Sequence, residues 1–187
     1  MQKSVFEIRF RDPIHWKNKA DRHFFASMFL HDRLKDQMKN FSTWSIQDDQ
    51  EFLSLLDAFF ILISLAFENL IKGLIISYEP DIRDVNTYKI KYHFNYNHNL
   101  IRMIERNFRP LIIDESKLFL RLQDYLQGLG RYPVPKPDNI DKKQFIGYKL
   151  NDYVLICSLY EEISDILNAN WDKSKEAYFS FIKNFEE

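Results

Sequence analysis

Glu68 and Lys72 stand four residues apart in Ala66-Phe67-Glu68-Asn69-Leu70-Ile71-Lys72-Gly73. On a helix that spacing puts the carboxylate and the ammonium on one face, where they can form an ion pair. Further on, His98-Asn99-Leu100 opens another predicted helix, with an imidazole that either caps the helix or enters a cleft as a proton-transfer group. Gly130-Arg131-Tyr132-Pro133-Val134-Pro135 follows, a corner stiffened by two prolines from which Arg131 ties down carbonyls or Glu68. Lys136 comes next. A carboxylate, two ammonium groups, an imidazole and a guanidinium are groups that hold an anion or move a proton, provided the fold brings them together.

The element expected to carry Glu68 and Lys72 is a helix from about Asp48 to Tyr78. Phe52, Leu55, Leu56, Phe59, Ile63, Ala66, Phe67, Leu70 and Leu74 fall on a wide apolar face at helical spacing, and Asp57, Ser64, Glu68 and Lys72 form a narrow polar stripe. Ser45 or Asp48 offers an N-cap, and Pro80 ends the helix. Its run from Ala58 to Phe67 lies between Asp57 and Glu68, too short for a bilayer, so a core helix is expected and no membrane partner. An earlier helix is expected over Lys19 to Lys39, antiparallel to it, with Phe24, Phe25, Met28, Phe29 and Leu34 inward and Asp32, Lys35, Asp36 and Lys39 outward.

Residues 79 to 97 read as a long loop with a short extended piece. Asn97 or His98 then caps a helix to about Asn107, Pro110 breaks it, and Asp114 caps the next, with Leu118, Phe119, Leu122, Tyr125, Leu126 and Leu129 on its apolar face. Gly128 and Gly130 end that helix. A second connection spans 130 to 143, and a pair of helices, Asp152 to Asn168 and Lys173 to Phe185, completes the bundle. Only four glycines and six prolines interrupt 187 residues, which favours long helices over a many-turned β-sandwich. The expectation is one all-α domain across 1–187.

Net charge is −1, so no global basic field draws in a nucleic acid and any RNA contact must be local. The single Cys157 excludes an intrachain disulfide and a Cys-rich zinc site. Its apolar neighbours Val154, Leu155, Ile156 and Leu159 mark it as a buried structural thiol. With a polar N-terminus lacking a signal peptide, it points to a cytoplasmic protein. No Gly-rich phosphate loop, metalloprotease or esterase motif, or calcium loop is present, and neither Glu68 nor Glu105 has a His three residues later. Neither a metal nor a cofactor is expected.

Residues 50 to 135 resemble the HEPN domains, helical bundles many of which are metal-independent ribonucleases or their degenerate, non-cleaving relatives. The likeness is carried by Ala66-Phe67-Glu68 with Lys72, by His98-Asn99-Leu100, and by Arg131 after them. Active nucleases of the family place a His four to six residues after such an Arg, usually across a dimer. Here the chain reads Lys136-Pro137-Asp138, and that His is missing. Arg9 and His15 meet the spacing by count but precede the first bundle helix, outside the family's pattern.

Cleavage of RNA by its own 2′-hydroxyl needs a proton acceptor and donor as well as positive charge on the phosphorane, and Arg131 supplies only the charge. The resemblance therefore implies a degenerate binding or regulatory module in a toxin–antitoxin or antiviral defence setting. Glu68, Lys72, Asn99, Arg131 and Tyr132 would hold RNA, a nucleotide or a protein partner, in a homodimer. A metal-independent ribonuclease using Arg131 with His98 or Lys136 is the enzymatic alternative, and a structural dimerisation bundle is the third. Arg131, Glu68 and Lys72 are expected in one charged site.

Overall fold

The structure is a computed structural model that describes residues 11–39, 45–78, 98–126 and 150–183. Five helices and no strand occur among them: α1 (Pro13–Lys39), α2 (Ile46–Tyr78), α3 (Leu100–Asn107), α4 (Ile113–Asp124) and α5 (Leu150–Lys183). The expected all-α bundle with a long central helix is the observed fold.

α2 is the axis, with each other helix packed against it. Ser45 and Asp48 close its start as a reciprocal cap. Ser45 N and Oγ donate to Asp48 Oδ2 at 2.7 and 2.6 Å, and Asp48 N donates back to Ser45 Oγ. The expected choice between the two as N-cap therefore falls on Ser45. Phe59, Ile63, Phe67, Leu70 and Leu74 are fully buried. By length and composition α2 could cross a membrane, a property it shares with core helices, and 78% of its most apolar window is buried.

Side-chain pairs set the directions of its neighbours. α1 runs antiparallel to α2, since Arg33 meets Glu51 near one end and Pro13 and Trp16 meet Gly73 near the other. α5 runs parallel to α2: Tyr153 lies by Phe59, Tyr160 packs edge-on to Phe67, and Asn170 reaches Ser77. α4 runs back along α2, with Phe119 against Phe67, Leu122 O accepting from Ser64 Oγ at 2.8 Å, and Tyr125 stacked on Phe60. Arg109 fastens the α3–α4 connection, gripping buried Glu115 through both terminal nitrogens at 2.8 and 2.9 Å and reaching Glu162 on α5.

Several boundaries and faces differ from those expected. α1 begins at Pro13, not Lys19, because Asp12 Oδ1 accepts from Ile14 N and proline suits the first helical position. Its core face carries Ala20, Ser27, His31 and Leu34, so Phe25 and Phe29 are 60% and 63% exposed and Met28 is also exposed. At helical spacing those four share one arc of α1, and Phe25, Met28 and Phe29 fall outside it. α3 is capped by Asn99, whose Oδ1 accepts from Arg102 N, and neither by Asn97 nor by His98. Glu115 accepts from Ile112 N, which puts the start of α4 at Ile113, ahead of Asp114. The expected C-terminal pair is one continuous helix of 34 residues, since no Gly or Pro interrupts Ala169 to Asp172. Cys157 is only partly buried. The expected loops at 79 to 97 and 130 to 143, with Gly128 and Gly130, lie outside the described residues.

Candidate functional site

Glu68 lies on the polar stripe of α2 between Phe67 and Asn69 and is 5% exposed. A carboxylate so buried needs partners, or it would be neutralised. Two converge on one oxygen: Lys72 Nζ donates to Oε1 at 2.7 Å from one turn along α2, and His98 Nδ1 lies 2.9 Å from the same atom. Burial by itself pushes the Glu68 carboxyl upward, but Lys72 and then His98 push it down further, so it sits below the ordinary glutamate value. The stripe is therefore internal at Ser64 and Glu68, whereas Asp57 at its start is exposed and Lys72 at its end is partly buried. Ser64, one turn earlier, is fully buried and donates to Phe60 O and Leu122 O.

His98 reaches Glu68 from the residue before the α3 cap. Its backbone has φ 60°, the left-handed region, which costs an L-residue other than glycine on the order of 1–2 kcal/mol. Three contacts hold it there. Asn99 caps α3, Leu100 is fully buried, and the ring is anchored on Glu68. An ionised carboxylate only accepts, so Nδ1 carries the shared proton, and Nε2 is the acceptor nitrogen when the ring is neutral. The side chain is 41% exposed, and Nε2 has no hydrogen-bond partner among the described residues.

On the other side of Lys72 stands Trp16, a residue that sequence reasoning did not single out. Lys72 Nζ lies 5.4 Å from the centre of its ring. Gly73 makes that approach possible. A Cβ built there would come within 2.8 Å of Leu167 Cδ1 and 2.9 Å of Pro13 O, so α1 and α5 close on α2 where it has no side chain. The mid-helix glycine was the available signal of a close approach. Trp16 carried no comparable mark.

Of the residues expected at the site, Glu68, Lys72 and His98 come together, and Asn99 adjoins them as the α3 cap. Arg131, Tyr132 and Lys136 lie outside the described residues. Within the described part of the expected Arg131–Glu68–Lys72 cluster, the second donor to Glu68 is His98. Among the described residues no group of His, Cys, Asp and Glu is arranged to hold a metal ion.

The arrangement can do two things chemically. Protonated, His98 offers Nε2–H to an anion. Neutral, it offers a lone pair in a ring whose tautomer and orientation are set by Glu68, the support a general base requires. Comparisons with protein-family models, with curated proteins and with solved structures return no match to the chain.

Proposed function

We propose that the chain is a degenerate HEPN-like binding or regulatory module that takes RNA or a nucleotide at the surface beside His98, in a toxin–antitoxin or antiviral defence setting, as a homodimer. One observation carries the reading. His98 is anchored on buried Glu68 through Nδ1 and keeps Nε2 for a ligand. Lys72 is engaged by Glu68, so its part is to hold the carboxylate ionised and leave the ligand to His98 and its neighbours. The motif likeness, with a His missing after Arg131, favours binding over cleavage.

A metal-independent ribonuclease is the second reading, and the same His98–Glu68 pair favours it. A carboxylate that fixes the imidazole tautomer is the usual companion of a proton-transfer histidine. Arg131 would then supply charge to the phosphorane. The two readings separate in one experiment: purified protein is titrated against labelled single-stranded RNA and against a mononucleotide, and incubated with RNA in excess EDTA. Saturable binding that His98→Ala weakens, with no turnover, is the expected result. Repeated turnover abolished by His98→Ala or Arg131→Ala would replace the binding reading with the nuclease. Neither binding nor cleavage would remove both.

A further inference from the structure

α3 is short and strongly two-sided. Leu100, Met103 and Ile104 point into the core, which turns Arg102, Glu105 and Arg106 outward. Those outward residues meet α4 across a groove of about 500 Å³ lined by Asn99, Ile101, Arg102, Glu105, Arg106, Leu120 and Gln123. We propose that this groove binds a phosphate ester through Arg102 and Arg106, with single-stranded RNA as the ligand that fills it. The inference rests on the nucleic-acid reading above and adds a place and an orientation to it.

Arg102 and Arg106 lie one turn apart, roughly 6 Å along the axis, a separation on the order of that between successive phosphates of a single strand. Neither forms an ion pair with a described residue, whereas Arg33, Arg109 and Arg121 each grip a carboxylate. Two guanidinium groups on one face, unpaired among the described residues, are the local positive charge that a chain of net charge −1 requires for a phosphate contact. Glu105 stands between them and offsets one charge. Its carboxylate repels phosphate, so the groove selects a strand that places its phosphates at the two arginines and away from that side chain.

The remaining lining suits a base. Leu120 is 51% exposed, and with Ile101 it gives an apolar surface for a base face. Asn99 Oδ1 is occupied by the α3 cap, and its amide nitrogen remains as a donor. Because Asn99 follows His98 directly, a strand laid along α3 passes from the two arginines to the imidazole.

The test is fluorescence anisotropy of full-length protein with a labelled single-stranded RNA, across a salt series, with a mononucleotide as competitor. Variants are Arg102→Gln/Arg106→Gln, His98→Ala, and Arg22→Gln as an exposed arginine on α1 away from the groove. The expected result is a tenfold or greater loss of RNA affinity in the double variant. The slope of log affinity against log salt should shrink by about 1 to 2, and Arg22→Gln should change affinity less than twofold. Mononucleotide binding lost equally in the double variant would support the phosphate chemistry with a free nucleotide as its source. RNA binding lost in His98→Ala but unchanged in the double variant overturns the groove and leaves the reading of the His98 site standing. An equal loss in Arg22→Gln also overturns the groove. A wild type that binds neither ligand overturns both.

Discussion

Glu68 Oε1 and His98 Nδ1 lie 2.9 Å apart although thirty positions separate them in the chain. The contact joins the core helix to the strained residue that opens α3, so the one buried carboxylate of the polar stripe sets both a local ion pair and the aim of a partly exposed imidazole. Its consequences can be measured.

Glu68 makes stability depend on acid. Its folded value is depressed below 4.5, so its contribution is fully present above that pH and is lost as pH falls through the folded value. Glu68→Gln should flatten the dependence of unfolding free energy on pH between about 5 and 3. At neutral pH it should cost about 1–3 kcal/mol by replacing the charged acceptor that Lys72 and His98 share with a neutral amide oxygen. Denaturant titrations of both proteins at several pH values check this, and parallel curves would mean that the carboxylate is not the linked group.

Phe59 and Phe25 provide a contrast within one residue type. Phe59 is fully buried and Phe25 is 60% exposed. Phe59→Ala should cost about 3–5 kcal/mol through lost transfer energy and the cavity left behind, and Phe25→Ala only about 0.5 kcal/mol or less. Comparable losses in thermal unfolding would place Phe25 in the core after all.

Gly73→Ala adds one methyl where Leu167 and the Pro13 carbonyl already meet the backbone. Overpacking there should destabilise the fold by about 1–3 kcal/mol, reversing the gain that alanine usually brings to a helix interior. A stabilised variant would show that α1 and α5 do not close on α2 at that position.

Arg109 satisfies buried Glu115 and also ties it to Glu162, which holds the Glu115 carboxyl low and the guanidinium high. Arg109→Ala would leave Glu115 without its charge partner and should cost about 3 kcal/mol. Adding Glu115→Gln should recover part of that loss. A double variant no more stable than Arg109→Ala would rule out the stranded charge as the cause.

RNA cleavage by the isolated wild type in excess EDTA should be weak or absent, since a missing proton-transfer group removes roughly two to four orders of magnitude of rate. Should cleavage occur, His98→Ala ought to abolish it, because His98 is the histidine anchored on Glu68. Turnover that survives His98→Ala would assign proton transfer to another group.

The helical class, the central place of α2 and the burial of Phe59 and Ile63 were legible in the sequence, because a 3.6-residue apolar period and a shortage of Gly and Pro are local signals. So was the Glu68–Lys72 pair, whose spacing makes contact unavoidable once the helix forms. Periodicity could not choose among the faces of α1. Phe24, Phe25, Met28 and Phe29 span more of the circumference than one interface covers, and the close packing at Ala20, Ser27, His31 and Leu34 decided which part turned inward. Nor could it join His98 to Glu68, set Trp16 against Lys72, or bring Arg102 and Arg106 to a groove with Leu120 and Gln123. Those relationships depend on where separate helices meet in space, and only tertiary packing brought them together.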